Sequence, residues 1–410
     1  MARAAPARSR LLAALAGLLA LAASAAPPDP RAVAALAASA YFSTFNASSR
    51  MQLVENYGPS IAHMALYSVA REFAQPQWAP QLDALLDAAA HTPSRGAYSA
   101  LNNVSVPWGY SIGDTMGLFP ISYLARAEYH NESYADFGEN WQIVANVARL
   151  YVLPWPERLS DGTISRAASW PGQPQNNLST FLWSDDQFMG IALLARAARN
   201  AGLPRDLAAT YADFCARQQV SFAAHMQDPS DGLFFHGYNA FTNETSCCKW
   251  GRANGWVMMA HAEVYSTLTA VAPNHPLLPQ IAAIWRAHAA GMRAAQGADG
   301  RWHQVLDDAS TYLETSVTAM AVYSLSDGVL SGALDRATFA PVVEAAWAGA
   351  AAQVQADGTV DGICEGTGIG ADVAFYQARS TAYGVSDPGI GSVFRAALAY
   401  DRFAKAAAAL

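Results

Sequence analysis

Apolar residues recur at helical spacing along most of the chain, in stretches at 61–73, 81–90, 117–128, 141–150, 187–198, 207–225, 256–270, 280–296, 312–324, 339–353 and 390–407. Alternation of the strand type is scarce and short. Between the helical stretches an Asp-Gly turn returns at Asp161-Gly162, Asp231-Gly232, Asp299-Gly300 and Asp357-Gly358, at intervals of about 60–70 residues. Two further pairs, Asp327-Gly328 and Asp361-Gly362, fall outside the series. Each of the four follows one helix and precedes a short aromatic or polar stretch and then another helix, so the unit is a helical hairpin with a loop. Helices that are apolar over a wide face need neighbours on both sides. Roughly six such hairpins close into an all-α (α/α)6 barrel, with short strand-like loops forming a cup at one end. An open solenoid is the alternative, but long, aromatic and acidic loops suit a concave site better than a flat docking surface.

Composition supports one large core. Of 410 residues 52% are hydrophobic and 14% charged, and no low-complexity linker divides them, so residues 26–410 read as a single domain. The formal charge of −8 argues against nucleic acid as a partner. Arg3, Arg8 and Arg10, the uncharged apolar run 11–23 and the small residues Ala23-Ser24-Ala25 together predict a signal peptide over residues 1–25. The apolar run is too short to span a bilayer and no membrane partner is expected. Sequons at Asn46, Asn103, Asn131, Asn177 and Asn243 fit a secreted glycoprotein. Cys215, Cys247, Cys248 and Cys364 are too few for a disulfide scaffold and lack metal-ligand spacing; one or two bridges fit them, with no pairing implied.

The candidate chemistry gathers in the loops. Phe181-Leu182-Trp183-Ser184-Asp185-Asp186-Gln187-Phe188-Met189 sets adjacent carboxylates beside a tryptophan where a helix begins. A bland reading competes: Ser184 and Gln187 form a capping-box pattern, and acids in a first turn offset the helix dipole. Downstream, Leu233-Phe234-Phe235-His236-Gly237 and Trp250-Gly251-Arg252-Ala253-Asn254-Gly255-Trp256 combine stacking faces, hydrogen-bond donors and glycines that admit close approach, as a sugar site requires. Arg252 is suited to grip a carboxylate through two parallel bonds, against the alternative of a helix-start salt bridge. His236 is alternatively a structural histidine, Trp256 core packing, and Asp114 an N-cap. His303, Glu314 and Ser316 either line the cup or anchor its loops.

These segments, with Gly300-Arg301-Trp302-His303-Gln304-Val305-Leu306-Asp307, Tyr312-Leu313-Glu314-Thr315-Ser316 and Gly362-Ile363-Cys364-Glu365-Gly366-Thr367-Gly368, resemble glycoside hydrolase family 105, the unsaturated rhamnogalacturonyl hydrolases, whose relatives in family 88 are the unsaturated glucuronyl hydrolases. The resemblance covers the second half of the chain in order and implies the (α/α)6 barrel. It also implies removal of a nonreducing-end 4,5-unsaturated uronic acid from lyase-generated oligosaccharides, by hydration of an enol ether and with no metal or organic cofactor. Matched position by position, Asp185 is the catalytic acid/base, although Asp186 stands where many relatives have glycine. Asp114 is the second carboxylate, and His236, Arg252 and Trp256 contact the sugar, with Trp183 beside them. A proton donor among Trp183 and Phe188 is expected to have a raised pKa, with Asp186 ionised nearby. Two rivals remain: a hydrolase of saturated glycosides such as β-glucuronides on the same barrel, and a secreted carbohydrate-binding protein without activity. The aglycone and the oligomeric state are not written in the residues.

Overall fold

The computed structural model describes residues 27–44, 55–104, 112–113, 117–166, 180–200, 202–382 and 387–409. The predicted signal peptide, Asp114 and the sequons at Asn46 and Asn177 lie outside them. In chain order the helices are α1 (Pro30–Ser43), α2 (Tyr57–Glu72), α3 (Ala79–Ala90), α4 (Gly96–Leu101), α5 (Ile121–Tyr129), α6 (Glu139–Val147), α7 (Asp186–Met189), α8 (Ala192–Ala198), α9 (Arg205–Met226), α10 (Gly251–Val271), α11 (Leu278–Ala294), α12 (Thr315–Leu330), α13 (Arg336–Ala351), α14 (Val373–Gln377) and α15 (Asp387–Ala408).

Six of these positions make an inner ring. α2 packs on α5, α5 on α8, α8 on α10, α10 on α12, α12 on α15, and α15 back on α2. Outside them run α1, α3, α6, α9, α11 and α13, so the fold is the expected (α/α)6 barrel. Inner helices bury every face, which explains why α10 and α12 are buried over most of their length and carry little periodic contrast. Three small sheets sit at the N-terminal ends of the inner helices. β1 (Phe181–Trp183) pairs with β2 (Gly237–Asn239) and β2 with β3 (Glu244–Thr245); β4 (Trp302–His303) pairs with β5 (Leu313–Glu314), and β6 (Ile363–Cys364) with β7 (Thr381–Ala382), all antiparallel.

The Asp-Gly series has a physical basis. Gly162, Gly232, Gly300 and Gly358 have φ of +89°, +79°, +83° and +83°, and each aspartate accepts the amide two residues on: Thr163, Leu233, Arg301 and Thr359. Three of these glycines also touch the next outer helix. A Cβ on Gly232 would lie 2.3 Å from the Ala287 carbonyl of α11, on Gly300 2.1 Å from Ala345 of α13, and on Gly358 2.2 Å from Leu36 of α1. Only glycine supplies both the left-handed turn and the close approach, so Gly300→Ala should cost about 2–4 kcal/mol, read as a lowered denaturation midpoint at an unchanged m-value.

Two expectations need correction, and one helix was not expected. Residues 187–198 form two helices rather than one, interrupted around Gly190 where the chain at Gly117 passes so close that a Cβ there would lie 2.2 Å from the Met189 carbonyl. Helix α10 begins at Gly251 rather than near Trp256, which moves Arg252 from a loop onto a helical first turn. Helix α1, an alanine-rich stretch started by Asp29, whose side chain accepts the Arg31 amide, has too little polar contrast to stand out in the sequence.

The end of the barrel away from the sheets is polar. A cavity of about 490 Å³ is lined by Arg196, Arg199, Arg395, Arg402, Glu263 and Asp327, among others. Burial opposes ionisation of Glu263, but Arg199, Arg395 and Arg196 outweigh it and hold the carboxyl far below its usual range. Burial pushes Asp327 up to about 6.

Midway up the barrel, two buried histidines fix the acid response. Burial lowers His261 to about 3 and His288 well below its usual value. Both are neutral when folded and take up a proton near pH 6.5 when unfolded. Their stabilisation is therefore complete above about pH 6.5 and fades on acidification, at about 1.4 kcal/mol per pH unit each. Asp327, with its folded value raised, runs the other way and offsets part of the loss between about pH 6 and 4. Calorimetry should show the melting temperature falling from pH 6.5 to 4.5, with a shallower slope in His261→Gln.

Candidate active site

Asp185 lies in the turn between β1 and α7 and serves as the backbone N-cap of α7 without a side-chain capping bond. The capping-box alternative fails here: the Ser184 hydroxyl donates to the Phe235 carbonyl at 2.6 Å, and the Ser184 amide donates to the His236 carbonyl at 3.1 Å. Ser184 therefore ties β1 to the residues leading into β2, and that tie, with the Trp183–Gly237 register, brings the side chains of Asp185 and His236 together. His236 Nε2 stands 3.6 Å from Asp185 Oδ2, just beyond hydrogen-bonding range, and neither atom has a hydrogen-bond partner among the described residues. On the other side of the ring, His236 Nδ1 meets the Tyr376 hydroxyl at 2.8 Å. If the hydroxyl donates to Nδ1, the imidazole hydrogen resides on Nε2 and faces the carboxylate.

Arg252 completes the cluster from the first turn of α10. Nη1 donates to the Cys364 carbonyl at 2.6 Å, while Nε and Nη2, buried, have no partner among the described residues. Those two nitrogens form the side edge of the guanidinium, the edge that matches a carboxylate with two parallel bonds. Burial works against the charge, but Tyr57, Cys364, Glu314 and Asp185 outweigh it and hold the pKa above its ordinary value. The guanidinium also lies 4.8 Å from the Trp250 ring centroid. A buried cation with an open fork, within the field of Asp185, is prepared for an anionic ligand.

The aromatic residues divide into two groups. Trp183 is partly exposed and packs edge-on against His236, with ring centroids 5.3 Å apart; its indole Nε1 lacks a partner among the described residues. Trp256, expected to touch sugar, is fully buried, stacked on Phe188 at 5.3 Å and edge-on to Tyr57. It is a packed wall behind the cluster rather than an open platform. Asp186 is buried with Arg166 Nε 3.1 Å from its Oδ2, and the Arg166 guanidinium covers the Trp183 ring at 4.2 Å. The chain passes this pair so closely at Gly113 that a Cβ would lie 2.4 Å from Asp186 Oδ1. Asp114, the next residue, is outside the described residues.

The remaining candidates are anchors. Both Glu314 oxygens accept the Ser316 hydroxyl, and they also take the Val317 and Cys364 amides, so Glu314 caps α12 and leaves no lone pair directed at a substrate. His303 Nδ1 is bound to the Thr311 carbonyl at 2.5 Å. Asn254 clamps the Phe234 backbone through its side-chain oxygen and nitrogen, at 2.8 and 2.9 Å, and so fixes the strand that leads to His236. Tyr376 was not among the expected site residues. It is 140 positions from His236, and no local spacing could announce the contact.

The Glycosyl Hydrolase Family 88 profile matches residues 130–404. The unsaturated rhamnogalacturonyl hydrolase YesR of Bacillus subtilis (strain 168) is 31% identical over 146 residues, 35% of this chain and 39% of that relative. The unsaturated 3S-rhamnoglycuronyl hydrolase of Alteromonas sp. (strain LOR) is 28% identical over 184 residues, 44% of this chain and 43% of the relative. The matches thus span about two fifths of either relative's length. Among solved structures, a family 105 glycoside hydrolase of C. acetobutylicum ATCC 824 superposes with a TM-score of 0.71 at 18% identity, covering 90% of this chain and 99% of that one. With the profile spanning most of the barrel, the chain belongs to Glycosyl Hydrolase Family 88.

Proposed function

We propose that this protein removes a nonreducing-end 4,5-unsaturated uronic acid from oligosaccharides left by polysaccharide lyases. Arg252 binds the uronate through Nε and Nη2. Asp185 delivers a proton to carbon 4 of the enol ether, and water, losing a proton to the resulting carboxylate, adds at carbon 5. The hemiketal so formed opens, and the aglycone leaves with one water consumed overall. His236 supports the carboxyl group of Asp185 from the side and is itself held by Tyr376.

The observation that carries this reading is the convergence of one acid and one buried guanidinium whose oxygen and side fork have no hydrogen-bond partner among the described residues. An enzyme of saturated glycosides would use two carboxylates; of the two partners open to Asp185, Glu314 is occupied by its cap, and Asp114 lies outside the described residues. The named relatives point the same way. The test is a panel of lyase-digested polysaccharides, from pectic, arabinogalactan and glycosaminoglycan sources, followed by near-ultraviolet absorbance and product analysis. Loss of absorbance with release of a saturated aglycone supports the reading; turnover of saturated glucuronides alone would replace it.

The protein is also proposed to be secreted and glycosylated. Besides the predicted leader, this rests on Asn103, Asn131 and Asn243, which are exposed and occupy left-handed turn positions, with φ of +56°, +57° and +58°. A mobility shift on treatment with an N-glycosidase, in protein recovered from medium, tests this.

A further inference from the structure

Cys247 and Cys248, neighbours in sequence, are joined to each other. Such a bridge closes no loop of chain, so it lacks the loop-closure entropy through which disulfides stabilise a fold. Its effect is confined to the peptide inside its own ring.

That peptide occupies a sensitive place. The Cys248 carbonyl accepts the His236 amide at 3.0 Å, and the His236 carbonyl accepts the Ser184 amide, next to Asp185. On the other side, Gly251 opens α10 with its amide on the Gln304 carbonyl, one residue before Arg252. The pair therefore lies on the short path that joins the strand of His236 to the helix of Arg252. Flanking residues are pinned independently: Ser246 bonds Gly237 through both backbone and side chain, and the Lys249 ammonium reaches Asp228 at 2.7 Å and Asp231 at 2.5 Å. Between these pins, the eight-membered ring sets the direction of the Cys248 carbonyl together with a 3.3 Å hydrogen bond from the Ser246 hydroxyl. Cys248 is buried against Trp250 and Tyr376, the residues that border the His236 ring, whereas Cys247 is exposed and open to a thiolate.

We propose that the Cys247–Cys248 disulfide is a reducible positioning device for the active site, holding the His236 backbone, and through it the Asp185–His236–Arg252 cluster, in working register. The proposal rests on the hydrolase reading above. Opening it takes a dithiol: one thiolate attacks Sγ of Cys247, the S–S bond breaks, and Cys248 leaves as a thiolate and is protonated; the second thiol then attacks the reagent sulfur of the mixed disulfide, closing the reagent into a cyclic disulfide and expelling Cys247 as a thiolate that is protonated in turn. Two electrons and two protons pass from reagent to protein. With the ring open, the 247–248 peptide gains conformations and the Cys248 carbonyl, left with the Ser246 hydroxyl as its other tether, is held less firmly on the His236 amide.

The experiment compares the oxidised protein, the dithiothreitol-reduced protein with its released thiols counted by alkylation and mass, and the double variant C247S/C248S. Reduction is expected to lower kcat about tenfold with little change in KM, to leave the melting temperature unchanged, and to speed hydrogen exchange at the His236 amide. The double variant should show the reduced kinetics and ignore dithiothreitol. Equal kcat and equal His236 exchange in the oxidised and reduced forms would overturn the proposal, as would a double variant that still responds to the reagent. A fall in melting temperature that matches the loss of activity would also overturn it, by making the bridge a general staple. If the oxidised protein turns over no unsaturated uronide, the functional reading fails on its own, and the exchange measurement still decides the role of the bridge.

Discussion

Asp185→Asn is expected to lower kcat on an unsaturated uronide by about a thousand- to ten-thousandfold, while the melting temperature and the binding of substrate stay close to those of the wild type. The amide is isosteric, and Asp185 makes no side-chain capping bond that the substitution could break. What it removes is the transferable proton. Its Oδ2 has no hydrogen-bond partner among the described residues, so the lost function is confined to chemistry. Stopped-flow absorbance under single-turnover conditions separates the step from product release. A variant that keeps more than a tenth of the wild-type rate would move the acid to another residue.

The second large effect belongs to Arg252→Lys. A lysine keeps the charge but offers a single point donor in place of the Nε–Nη2 edge, and it abandons the Cys364 carbonyl that Nη1 now satisfies. The expected loss is about 2–3 kcal/mol of transition-state stabilisation, roughly a hundredfold in kcat/KM. Substrate chemistry gives the sharper reading. The wild type should reject the methyl ester of the uronate strongly, because the ester cannot take two parallel charge-assisted bonds, whereas the lysine variant should discriminate far less. Equal discrimination in both would mean that the guanidinium is not the carboxylate receptor.

Much of the site was legible because its signals are local. Arg252 among glycines and tryptophans, and a carboxylate two residues after Trp183, are short-range patterns; the fold sets Asp185 beside His236 and Arg252 on the first turn of α10 rather than in the expected loop. The turns were legible for the same reason, since an aspartate capping the second amide beyond it, beside a left-handed glycine, is a four-residue event. Where the residues left two readings open, the deciding contact was distant. Ser184 looks like a cap until the Phe235 carbonyl, 51 residues away, takes its hydroxyl. Trp256 looks like a platform until Phe188 and Tyr57 close over it. The partner of His236 lies on α14, and α1 carries no amphipathic stripe because an alanine-rich helix packs through close backbone approach, as the contact of Gly358 with Leu36 shows.

That last contact has a consequence for how the molecule is made. The seam of the toroid joins its two ends: α1, the first described helix, seats against α15, the last, and receives the Asp357-Gly358 turn as α11 and α13 receive theirs. A nascent chain emerging from the ribosome can stack hairpin upon hairpin, but it cannot shut the circle until α15 is synthesised. Until then the open arc has two raw apolar flanks, and a chaperone that shields them would be needed until α15 emerges.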